Sequence, residues 1–342
     1  MTTNVTGPAT GGALPGAGVP AAAGAVPGVP SLETPDLTGT TLPGAPRKMN
    51  LDNSEVALRS ISYVVVGVFA LLCALPFLLI VSASFSDEGQ ILAHGFSLLP
   101  RGFSTAAYDL IFQSPRQILG SYIVTITMTV LGVVVGLTIT AMTGYALQRK
   151  DFPLRNGISF FIYFTTLFSA GLAPTYLWVA QTLQLQGNYL AVFLQLLLSP
   201  WLIILMKNFA RSVPYEVIES GKIDGAGDFR IFAQLVLPML KPALATIGLF
   251  IALGYWNEWY LSSLYLGSSV EFKPLQYYLY NIINTANALR NSVAGNNVTV
   301  TQLPTNTLKM ATAVVATGPI VLLYPFVQKY FVTGITVGAV KG

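Results

Sequence analysis

The stretch RSVPYEVIESGKIDGAGDFRIFAQLVLPMLKP, residues 211–242, is the polar island around which the rest of the chain arranges itself. It carries Glu216, Glu219, Lys222, Asp224, Asp228, Arg230 and Lys241, in a chain whose charged residues make up only 9%. Its local grammar predicts two short helices. Ser212 is placed to cap the first, and Pro214 suits a first turn, where its missing N–H has no partner to lose. Glu216 in that turn favours the helix dipole. Val217, Ile218 and Gly221 form a small apolar face. Asp224-Gly225-Ala226-Gly227 then breaks the helix, because glycine tolerates positive φ. Asp228 is placed to cap a second helix, Phe229–Leu237, and Pro238 and Pro242 mark the bend that follows.

Outward from this island the chain is apolar. Hydrophobic residues make up 53% of it and mean hydropathy is +0.62. A soluble domain carries about 25% charged residues, so a chain this poor in charge needs lipid as solvent for much of its surface. About 20 apolar residues cross a bilayer core. No charge occurs between Arg59 and Asp87, nor between Arg116 and Arg149. These gaps predict spans at 60–83 and 118–147. The uncharged run from Asn156 to Met206 suits two crossings, 157–181 and 188–207, with the polar Gln181–Asn188 as their hairpin. Spans five and six fall at 242–266 and 309–332. Gly171, Pro174, Pro319 and Pro325 interrupt spans three and six; such residues can mark gates or broken helices, and more often mark ordinary kinks. Gly132 and Gly136, in GVVVG, make a small-residue face for helix packing.

The expected fold is therefore an all-α membrane protein of six transmembrane helices, with loop 211–241 between spans four and five. Basic residues decide its orientation. Arg47, Lys48, Arg59, Arg149, Lys150, Arg155, Lys207, Arg211, Lys222, Arg230, Lys241, Lys329 and Lys341 fall on one side. Arg101, Arg116, Lys273, Arg290 and Lys309 fall on the other. The positive-inside rule puts the larger group, both termini and the loop in the cytoplasm. Segments Ser84–Gln117 and Gly267–Leu308 then lie outside. Residues 1–50 are rich in Gly, Pro, Ala and Thr, bury too little apolar surface to offset chain entropy, and read as a disordered tail before a permease domain at 51–342. They also lack the apolar run of a cleavable leader.

Several functions are excluded by what the sequence lacks. Cys73 and His94 are the only residues of their kind, so neither a cysteine cluster nor a His-rich metal site can form. No GxxxxGK[ST] is present, so this chain has no P-loop for ATP. A Ser–His–Asp set is implausible with one histidine.

The loop resembles the permease subunits of ATP-binding-cassette (ABC) importers. Their pattern is Glu-Ala-Ala, three residues, Gly, about nine residues, then Ile-x-Leu-Pro. Glu219-Ser220-Gly221 takes the first place, Gly225 the glycine and Val236-Leu237-Pro238 the end. The alanines are replaced by small residues and the isoleucine is shifted or replaced. IDGAGDFRIFAQLVLPMLKPALA looks like the maltose-type carbohydrate-uptake branch, closest to its lipoprotein-associated oligosaccharide permeases. FSAGLAPTY at 168–176, GYWNEWY at 254–260 and GAVKG at 338–342 are similar to the same group.

The resemblance implies a coupling helix that docks into a cleft on an ATPase subunit. Carried over, Glu219 accepts a charge-assisted bond from the ATPase. Ser220 and Gly221 keep the helix slim, and Asp224 leads into the Gly225 turn. Ile223, Ala226 and Phe229 pack in the cleft. It also implies two ATPase subunits that bind ATP and Mg, with no cofactor in this chain. A homologous second permease subunit and an extracellular lipid-anchored solute-binding protein follow too. No nucleic acid is involved, and the site of action is a bacterial cell membrane. Tyr255, Trp256, Asn257, Glu258 and Trp259 are candidates for the substrate pathway, because rings suit sugar C–H faces and Asn and Glu suit hydroxyls. The competing reading places these aromatics in the interfacial belt of any membrane protein. The same importer class with a peptide, amino acid or polyamine as solute remains open, as does an ion-coupled carrier with Glu258 as its acid.

Overall fold

The computed structural model describes residues 53–294 and 304–321. The expected tail at 1–50 and the end of span six lie outside the described residues. The chain divides into two units, residues 1–62 and 63–342. The first contributes only the opening turns of helix α1 to what is described. Everything below concerns the second.

Helix α1 (Asn53–Ser84) is uncharged after Arg59, and none of its most apolar window is buried. A hydrophobic helix exposed all round requires lipid or another helix as its environment. Two short helices follow, α2 (Glu88–His94) and α3 (Ala106–Ile111). The central element is α4 (Pro115–Gln148), 34 residues long, which packs along both α8 (Pro200–Ala210) and α12 (Lys241–Trp256). Glycine allows that approach. A Cβ on Gly132 would stand 2.0 Å from the Tyr255 ring, and one on Gly136 would stand 2.8 Å from the Leu197 carbonyl oxygen. The GVVVG face therefore packs inside this chain.

Helices α5 (Arg155–Leu167) and α6 (Leu172–Leu177, continued by a π turn to Thr182) occupy the expected third span. They are not one straight crossing: the two arms meet at 114°. The break is at Phe168–Gly171, where Gly171 adopts φ +83°. The sequence suggested a kink from Gly171 and Pro174. With no charge nearby to mark an end, hydropathy cannot distinguish a kinked span from a broken one.

Helix α7 (Tyr189–Leu197) and α8 together make the apolar run Tyr189–Ala210, long enough to cross. The loop then holds α9 (Tyr215–Ile223), α10 (Asp228–Ile231), a π turn (Phe232–Val236) and α11 (Leu237–Met239). It bends by 86° into the run Lys241–Tyr265, where Pro238 and Pro242 predicted a bend. That run contains α12 and α13 (Tyr260–Tyr265), interrupted at Asn257–Trp259. Helix α14 (Leu275–Ala294) and a final helix α15, residues 305–321, complete the described chain.

Among the described residues, by length and composition, three helices can cross a membrane, or up to five if each bent pair counts as one span. Of the expected sixth span only residues up to 321 are described. At the end of α4 remote from the loop, a buried carboxylate ties α2 to α15. Glu88 accepts from the backbone of Asn306 (3.0 Å) and Thr307 (2.9 Å) and from the Thr307 hydroxyl (3.0 Å). A carboxylate at a helix N-terminus satisfies donors that the helix itself leaves open.

Candidate functional site: the helical loop and the residues beneath it

The loop is a layered object. Its underside is apolar and buried: Ile218, Ile231, Phe232 and Val236 belong to the same cluster as Tyr145 of α4 and Met206 of α8. Gly221 lies against Ile231 and Leu235, which brings the two helical arms together. The turn between them has two bonds, from Ala226 N–H to the Gly221 carbonyl and from Gly225 N–H to the Lys222 carbonyl, both 3.0 Å. Gly225 has φ +77°, the left-handed conformation this helix ending requires.

Two expected caps are placed differently. Ser212 turns back and donates to the Phe209 carbonyl (2.7 Å), closing α8, while Pro214 occupies the cap position of α9. Gly227, not Asp228, caps α10. The reason is an interaction the sequence did not signal. The Asp228 carboxylate accepts from Arg149 Nη1 at 2.5 Å, from the end of α4. Arg149 also grips Asp151 through two bonds, and Lys222 Nζ donates to the same Asp151 at 2.7 Å. One guanidinium and one ammonium thus tie both loop arms to the α4–α5 connection.

Charge states follow from that geometry. Bonds from Arg149 and then Lys222 hold the Asp151 carboxyl well below the usual carboxylate range. Asp151 and then Asp228 raise Arg149 above its ordinary value, against the opposing cost of its burial. The Asp151 bond raises Lys222 as well. Arg149, Asp151 and Lys222 therefore stay charged across the physiological range. Beside it lies a cavity of about 420 Å³ lined by Tyr145, Arg149, Asp151, Asp228, Phe229 and Phe232. In the sequence Arg149 and Asp151 were merely charges bordering a span, 79 and 71 residues from their loop partners.

The outer surface of the loop is of another kind. Glu219, Ser220, Asp224 and Gly225 are exposed and Ala226 is half-buried. Ile223 is 81% exposed and Phe229 70% exposed. Two large apolar side chains therefore stand in the open beside a free carboxylate, on a loop whose other face is firmly packed.

The second candidate group does not act as one cluster. Tyr255 and Trp256 are buried. The Tyr255 hydroxyl donates to the Phe193 carbonyl (2.8 Å) and the Trp256 indole to the Ala316 carbonyl (3.0 Å). Asn257 donates to the Leu253 carbonyl of its own helix (3.0 Å). Glu258 accepts from the backbone of Leu261 and Ser262, holding the first turn of α13. Trp259 is 40% exposed and stacks on Tyr280 of α14 with ring centroids 4.6 Å apart.

Comparison with known proteins bears on this architecture. Over 274 residues the chain is 39% identical to the polygalacturonan/rhamnogalacturonan transport system permease protein YtcP of Bacillus subtilis (strain 168), covering 80% of this chain and 94% of that one. The chain belongs to the family of ABC-importer sugar-transport permeases. It is also 37% identical to Protein LplC of the same organism, over 78% of this chain and 89% of that one. Among solved structures it resembles a bacterial ABC transporter involved in the import of the acidic polysaccharide alginate, with a TM-score of 0.67 and 32% identity over 82% of this chain and 98% of that one. No family model matches. The permease is thus a multi-pass membrane subunit whose role is transport rather than catalysis. Neither the maltose-type branch nor the lipoprotein-associated one is singled out among these relatives.

Proposed function

We propose that this permease takes up an oligosaccharide by alternating access. The sugar is delivered by an extracellular lipid-anchored binding protein, and transport is powered by two ATPase subunits that hold ATP and Mg. A homologous second permease completes the pathway. The loop faces the cytoplasm, as the distribution of basic residues suggests, and six spans bring both termini to that side.

The observation that carries this reading is the two-faced loop. Its underside is continuous with the transmembrane core, so a push on it moves α4, α8 and α12 together, as a lever requires. Its upper face offers Ile223 and Phe229 to a partner's apolar cleft and Glu219 to a partner's cation. Ser220 leaves room on that face for close approach, Gly221 lets the two arms close on each other beneath it, and Asp224, Gly225 and Ala226 form the turn between the arms. Of the proposed pathway residues, Asn257, Glu258 and Trp259 line the break between α12 and α13. Tyr255 and Trp256 shape it from behind.

The test is Glu219→Lys in the assembled importer reconstituted in proteoliposomes. Sugar uptake and sugar-stimulated ATP hydrolysis fall to background, while membrane insertion and yield match the parent. Unchanged uptake would overturn the docking role. Stimulation by a peptide or polyamine in place of every saccharide tried would overturn the sugar.

A further inference from the structure

A second cavity lies at the end of the molecule remote from the coupling loop. It has a volume of about 240 Å³ and sits where the start of α13 meets α14 and α15. Trp259, Tyr280, Gln276, Lys309 and Thr312 contribute its functional groups, and Leu279 and Ala316 its floor. The chemistry of this wall is mixed in a particular way. Trp259 and Tyr280 form a tilted aromatic pair, both partly open. Gln276 brings an amide. Lys309 brings a full positive charge.

The charge is what distinguishes the place. The sequence puts five basic residues on this side, and the structure occupies four of them. Arg101 donates to the His94 carbonyl (2.8 Å), Arg116 pairs with Glu271 (2.9 Å), Lys273 sits over the Tyr277 ring (5.1 Å), and Arg290 donates to Thr305 (2.9 Å). Among the described basic residues of this side, the Lys309 ammonium alone has no hydrogen-bond, ion-pair or ring partner. A lysine at a helix end often snorkels to water, but this one opens into a cavity beside two aromatic faces.

We infer that this cavity is a saccharide subsite selective for an anionic sugar, one whose ring bears a carboxylate. The rings of Trp259 and Tyr280 cover the sugar's apolar C–H face. Gln276 takes its hydroxyls. Lys309 pairs with the carboxylate, a contact that is stronger than a neutral bond because one partner is ionised. The inference rests on the oligosaccharide reading above and deepens it: an uncharged sugar leaves the ammonium unanswered, and an anionic one does not.

The experiment compares trigalacturonate with its methyl ester, which is the same size but uncharged. Both are presented to the assembled importer in proteoliposomes, without binding protein, and occupancy is read from quenching of tryptophan fluorescence, with Trp259→Phe as the signal control. The acid binds more tightly than the ester, and its affinity falls with added salt. Lys309→Gln weakens the acid about tenfold, the loss of roughly one charge-assisted bond, and leaves the ester unchanged. Lys309→Arg restores the acid. Equal binding of acid and ester, or equal weakening of both by Lys309→Gln, would reduce Lys309 to an interfacial lysine and overturn the subsite. Uptake with binding protein present separates the two readings. Uptake of neutral saccharides with no response to Lys309 substitution defeats the subsite and spares the sugar importer. No saccharide uptake at all defeats both.

Discussion

A single missing methyl group decides how closely α4 and α12 can meet. Gly132 of α4 accepts the Tyr255 ring so tightly that a Cβ there would lie 2.0 Å from a ring carbon. The ring's hydroxyl is then aimed at the Phe193 carbonyl, joining α4, α7 and α12 at one point. Gly132→Ala should therefore cost about 1–3 kcal/mol, the usual penalty for overpacking a filled core, read as a lower thermal unfolding midpoint of the detergent-solubilised importer. A loss of stability alone would be ambiguous, because many core changes destabilise. The second substitution resolves it. Adding Tyr255→Leu to Gly132→Ala removes the ring that clashes, so the double variant should be more stable than the additive sum of the two single changes. Simple additivity would mean that the ring and the glycine do not oppose one another. At this scale the sequence was readable in part: the GVVVG spacing marked a packing face, but its partner, 123 positions later in Tyr255, carried no mark as a packing residue.

At the scale of elements the proposed coupling requires that a loop outside the bilayer be linked to helices within it. Two links are present. One is apolar, through Ile218, Ile231, Phe232 and Val236. The other is ionic, through Arg149, Asp151, Asp228 and Lys222. The apolar link supplies cohesion but little direction, since hydrophobic contact is non-directional. The guanidinium supplies direction, because its fork holds Asp151 from two nitrogens while reaching Asp228 with the third. Arg149→Glu should thus uncouple the loop from α4. Uptake should drop at least tenfold, with ATP hydrolysis no longer responding to substrate. Exchanging the charges, Arg149→Asp with Asp228→Arg, should recover a measurable part of the uptake, while Asp228→Arg alone should not. Failure of the exchange, with folding of both variants shown intact, would assign the coupling to the apolar link. The two helices and the glycine turn between them were legible in the sequence, because turn chemistry is local. It misassigned the caps at Ser212 and Asp228 because the interaction that claims Asp228 comes from a distant residue. Long-range ion pairs leave no local pattern.

For the whole molecule the same contrast holds. Low charge and long apolar gaps made a multi-pass fold legible, and among the described residues Leu58–Ser84, Pro115–Gln148 and Tyr189–Ala210 are long and apolar enough to cross. The 114° break at Phe168–Gly171 was legible only as the lesser of two readings of Gly171 and Pro174, since hydropathy measures where the chain prefers lipid and is blind to direction. The most exposed element poses the remaining problem. Among the described residues, none in the apolar window of α1 is buried. Lipid alone can cover such a helix, yet the proposed second permease would cover it as well, and the two cases differ in something measurable. Cys73, exposed on α1, is the permease's one thiol. A membrane-permeant thiol reagent should label it in the permease expressed alone. In the assembled importer the rate should fall several-fold if a helix of the second permease lies over that face, because a packed interface excludes reagent that fluid lipid admits. Equal rates in the two states would leave α1 as a lipid-facing helix and move the subunit interface elsewhere on the bundle.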